Sequence, residues 1–63
     1  MSLNTKPNLP DPDGFYADLL SAHEGLSTED SHALNARLVL ILANHVGNRA
    51  ALKEALELAR ATV

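Results

Sequence analysis

Sixty-three residues, 46% hydrophobic and 3% aromatic, carry five basic and eight acidic side chains, three histidines and no cysteine, for a net charge of -3. The lack of cysteine excludes a disulfide framework, and the acidic balance argues against nucleic acid, which needs clustered Lys and Arg. The longest apolar run, Leu38 to Ala43, falls far short of the ~20 residues that span a bilayer, so no membrane partner is expected.

The first ten residues hold Pro7 and Pro10 among small polar residues and read as an extended N-terminal arm, residues 1–10, with Leu9 able to tuck against the body. A basic start followed by an apolar core is missing, so no signal peptide is read and a cytoplasmic location is expected. Residues 11–63 form a single three-helix domain in this reading.

Asp11-Pro12-Asp13 opens the first helix, about residues 12–24. Asp11 can cap, Pro12 suits the first helical position, and Asp13 complements the positive helix end. Phe15, Tyr16, Leu19, Leu20, Ala22 and His23 share one face, and Gly25 stops the helix where a left-handed residue is wanted.

The central helix, about residues 28–46, starts at the cap Ser27, with Glu29 and Asp30 adding negative charge to its first turn. Ala33, Leu34, Ala36, Leu38, Val39, Leu40, Leu42, Ala43 and Val46 sweep round most of its circumference. A helix apolar nearly all round has to be covered on more than one side, and two short flanking helices can hardly do that. The side with Leu34, Leu38, Ile41 and Leu42 is suited to receive the other two helices. On the back, Ala33, Ala36, Leu40, Ala43 and Gly47 recur at helix-seam spacing. Four of these five are small, so they form the expected homodimer seam, with two copies of the helix crossing antiparallel around Leu40. A polar stripe of Asp30, Arg37 and Asn44 is either a solvated face or a recognition strip for a protein partner.

Gly47 suits a helix end and Asn48 caps the last helix, about residues 49–61. Ala51, Leu52, Ala55, Leu56, Leu58 and Ala59 form its apolar face, against Lys53, Glu54, Glu57 and Arg60 on the wet one. Few β-branched residues and many Leu and Ala make the chain all-α. We expect three short helices, a helical hairpin or small bundle completed by self-association.

Chemistry-bearing constellations are sparse. His32 and His45 lie about 220° apart round the helix and cannot share one face. Glu29 and His32 form a Glu-x-x-His pair, half of the motif of carboxylate-bridged di-iron bundles, but the remaining ligands have no evident source. Asp30-Ser31-His32 is similar to the Asp-Ser-Leu of acyl carrier proteins, in which the serine bears a phosphopantetheine arm, although His32 replaces the leucine here. Asp11-Pro12-Asp13-Gly14 lacks the alternating oxygens of a calcium loop, and no cysteine or serine elbow offers a nucleophile. His45 sits where its cationic form meets the negative end of the central helix.

Leu34-Asn35-Ala36-Arg37-Leu38 followed by Ala43-Asn44-His45-Val46-Gly47 resembles a family of very small bacterial proteins classed as a domain of unknown function. The Asp11-Pro12-Asp13, Phe15-Tyr16 and Gly25-Leu26-Ser27 segments are similar too, over roughly residues 9–59. The resemblance implies a bacterial cytoplasmic protein and no known activity. It also implies company with flavin-dependent oxygenases of aromatic breakdown, with no residue role carried over. The expectation is a small oligomeric interaction or accessory protein, without catalysis or cofactor of its own, dimeric and open to a further protein partner. The rival expectation is a ligand-handling subunit, either a carrier modified at Ser31 or a contributor of Glu29 and His32 to a metal site.

Overall fold

Asp11 is the first residue whose conformation commits the chain to a helix. In the computed structural model, which describes residues 3–62, it adopts a left-handed backbone (φ 51°) and its carboxylate accepts from the Gly14 N–H at 3.1 Å. Asp is one of the few side-chain-bearing residues that visit this region readily. Pro12 follows at the first helical position, where its missing N–H has no partner to lose. The helix α1 then runs Pro12–His23.

The end of α1 differs from the expected left-handed cap. Glu24 has φ -59° and ψ 130°, Gly25 has φ 77°, and the Leu26 N–H donates to the His23 carbonyl at 3.1 Å. These are the angles and the bond of a type II turn, which needs a positive φ at its third residue. Gly25 is therefore required, but by the turn between helices. Glu24 belongs to that turn, and α1 ends one residue sooner than its apolar pattern suggested.

Helix α2 runs Thr28–Val46 and α3 runs Arg49–Ala61. Ser27 Oγ accepts from the Asp30 N–H at 3.1 Å, and Asn48 Oδ1 accepts from the Ala51 N–H at 3.0 Å. Gly47, at φ 67°, closes α2 by donating its N–H to the Ala43 carbonyl. One residue, Asn48, separates that cap from the start of α3. The molecule is all-α, with no strand among the described residues.

The helices meet without enclosing a core. Ala51 is the one buried residue among those described, at 5% exposure. Leu19 and His23 on α1, Leu34 and Leu38 on α2, and Leu52 and Ala55 on α3 are half-buried. Ile41 and Leu42, expected to receive the flanking helices with Leu34 and Leu38, remain exposed instead. The large side chains of α2 are left uncovered in the turn that follows Leu38, from Val39 to Leu42. On α3 the inner side is likewise limited to Ala51, Leu52 and Ala55, and Leu56, Leu58 and Ala59 lie open.

Two global quantities express the same fact. The radius of gyration is 13.3 Å, against about 11 Å for a compact chain of this length. The accessible surface is 5684 Å², against about 3,900 Å² for a folded monomer of this mass. Part of the surplus belongs to the arm, whose residues 4–10 are exposed, Leu9 included. The tuck expected of Leu9 is made by Leu3, which is half-buried and donates its N–H to Glu54 Oε2 at 2.8 Å. The beginning of the arm expectation, Met1 and Ser2, lies outside the described residues.

Candidate interaction surface

The second half of α2 places four large apolar side chains in a single turn. Val39 is 59% exposed, Leu40 70%, Ile41 65% and Leu42 47%. Four consecutive helical residues point in four directions about 100° apart, so no single neighbour could cover them all. Leu40 is the most exposed large hydrophobic side chain among the described residues. Val46, one turn on, is open as well. Exposed apolar side chains scattered singly are ordinary, whereas a contiguous band of this kind marks a contact surface.

The small residues expected to line a seam lie on the side that Leu40 dominates. Ala36 and Gly47 are exposed, and Ala33 and Ala43 are half-exposed. Beside them the polar stripe, Asp30, Arg37 and Asn44, is exposed along its whole length. Seam and stripe therefore sit next to each other on one accessible flank of α2, and α1 occupies another.

What holds α1 to that other flank is a polar clasp that sequence reasoning missed. His23 Nδ1 lies 2.9 Å from Ser31 Oγ, and His23 Nε2 lies 3.0 Å from Asn35 Oδ1. An amide oxygen can only accept, so Nε2 carries a proton and donates to Asn35, and in the neutral ring Nδ1 then accepts from the Ser31 hydroxyl. Ser31 and Asn35 are one turn apart on α2, which lets a single ring bridge both. The available signal was Asn35, a polar side chain set singly in apolar ground, with Ser31 four residues before it on the same flank.

This clasp bears on the ligand-handling candidates. The Ser31 hydroxyl, the attachment point that the carrier reading requires, is half-buried and engaged with His23. Glu29 and His32 are both exposed in the first turn of α2. No group of three or more His, Asp or Glu side chains suited to a metal ion forms among the described residues. His45 is exposed in the last turn of α2, well separated along the helix from His32. An open depression of about 280 Å³ lies beside the clasp, lined by Leu20, Ser21, His23 and Glu24. It is shallow and presents no convergent set of reactive groups. No helix among the described residues is long and apolar enough to cross a membrane.

A family model described as a protein of unknown function, DUF2783, matches residues 3–61, which takes in the arm, all three helices and both turns. No curated protein and no solved structure matches the chain.

Proposed function

We propose that this chain, which belongs to the DUF2783 family of proteins of unknown function, is a small oligomeric interaction protein that works by contact and performs no catalysis of its own. The observation that carries this reading is the uncovered turn Val39–Leu42 at the middle of the longest helix. A chain that leaves such a band in water gains its driving force for folding by burying it against another chain. The polar stripe and the bacterial, cytoplasmic setting implied by the resemblance fit an accessory subunit.

Light scattering coupled to gel filtration tests the reading directly. The expected result is a mass of two chains or more at micromolar concentration. A chain that is helical, cooperative in its unfolding and monomeric there overturns it. A native pull-down then asks for a further partner, and a flavin-dependent enzyme of aromatic breakdown is the first to look for. Two measurements separate the ligand-handling rivals. Intact mass of protein from its native host should show no phosphopantetheine addition, and metal content should fall well below one per chain.

A further inference from the structure

We propose that the exposed flank of α2 is covered by a second copy of this chain, packed antiparallel on a two-fold axis at Leu40, with the stripe of Asp30, Arg37 and Asn44 forming the polar rim of that contact. The proposal rests on the self-association just inferred and adds its face, its direction and its charge pairing.

The surplus surface over a folded monomer is about 1,800 Å². It is spread over the arm, this flank and the exposed Phe15, Tyr16, Leu20, Leu56 and Leu58 of α1 and α3, and the ~800 Å² per partner of a stable interface is less than half of it. A second copy is thus a sufficient occupant. Leu40, at 70% exposure, stands between Ala36 and Ala43 on this flank. The small side chains one turn to either side leave a depression that can accept the partner's Leu40.

Charge then selects the direction. A parallel pair would set the acidic first turns of α2, Glu29 and Asp30, against each other. Antiparallel packing avoids this and opposes the two helix dipoles. With the axis at Leu40, residues whose numbers add to about eighty face each other across the contact. Arg37 then meets the partner's Asn44, whose amide oxygen can accept from the guanidinium. The pairing occurs twice by symmetry. Asp30, Arg37 and Asn44 fall on one side of the seam, and in an antiparallel pair the same side of both helices comes together. The stripe is therefore complementary to its own copy, as a two-fold interface requires.

The chain has no native cysteine, so single-cysteine variants report the geometry without interference. Leu40→Cys should form a disulfide-linked dimer on mild oxidation, because the two residues face each other at the axis. Ala33→Cys should not, since its copies lie about 20 Å apart along an antiparallel pair. Efficient linkage of Ala33→Cys as well as Leu40→Cys would mean a parallel pair, and linkage of neither would mean another face; either result overturns the proposal. Leu40→Glu should give a monomer by light scattering that has lost much of its helical circular dichroism, because folding is coupled to the association. Arg37→Ala and Asn44→Ala should each weaken the dimer several-fold, and the double variant should lose little more than either alone. A wild-type monomer refutes the self-association reading itself. A dimer that persists in Leu40→Glu refutes this face alone, and losses that simply add in the Arg37 and Asn44 double variant refute this pairing alone.

Discussion

Single residues at the helix ends carry backbone angles that few side chains would tolerate. Asp11 combines a left-handed φ with a capping bond to Gly14. Replacing it by Ala removes the cap, at about 1 kcal/mol, and places a residue in the left-handed region without a polar side chain to compensate, for about 1 kcal/mol more. Asp11→Asn keeps both the acceptor and the tolerance for this φ, and loses a few tenths of a kcal/mol through the helix dipole. Denaturant unfolding of the two variants should therefore separate by well over 1 kcal/mol, and equal losses would mean that the cap contributes little. Gly14 is tied to the same device. A Cβ there would run into the Asp11 carboxylate, so Gly14→Ala should forfeit the ~1 kcal/mol that alanine normally gains over glycine within a helix. His23 has a comparable local role. His23→Ala removes two bonds to α2, and because the site is only half-buried, water recovers part of the loss, leaving about 1 kcal/mol.

At the level of the element, what could be read in advance follows from how far each determinant reaches along the chain. Ser27, Gly47 and Asn48 act within three or four residues, and the apolar period of each helix is local too, so three helices and their caps were legible. Gly25 was legible as a stop but not as the third residue of a type II turn, since a positive φ serves both structures. The His23 clasp was not legible, because its partners lie eight and twelve residues away across that turn. Nor could periodicity show that the coverage of α2 ends near Leu38, because this depends on how far α1 and α3 diverge from it. The arm is a similar case. It looked independent, yet Leu3 reaches Glu54 on α3, fifty-one residues away in sequence. That bond is exposed, and an exposed hydrogen bond exchanged for water is worth at most about 1 kcal/mol. A chain lacking residues 1–8 should therefore keep its helical circular dichroism and lose no more than that in stability. A larger loss would make the arm part of the fold.

The whole molecule is held together by short-range devices more than by a shared interior, and that has a thermodynamic consequence. Caps, turns and the His23 clasp define each helix and its nearest junction, but one buried alanine cannot offset the conformational entropy of some sixty ordered residues, at about 1.5 kcal/mol each. On the proposed self-association the missing burial comes from a second copy, and folding and association are then a single equilibrium. In that case stability depends on protein concentration. For a dimer unfolding to two chains, each tenfold rise in concentration adds about 1.4 kcal/mol per dimer, or about 0.7 kcal/mol per chain. For a domain of this size that raises the thermal midpoint by about 3–6 °C. Calorimetry or circular dichroism from one to one hundred micromolar chain should therefore show the midpoint climbing by about 6–12 °C, with a single transition throughout. Leu40→Glu should abolish the cooperative transition along with the dimer. A wild-type midpoint constant over that range would mean that three loosely packed helices stand alone, and the exposed turn of α2 would then need another explanation.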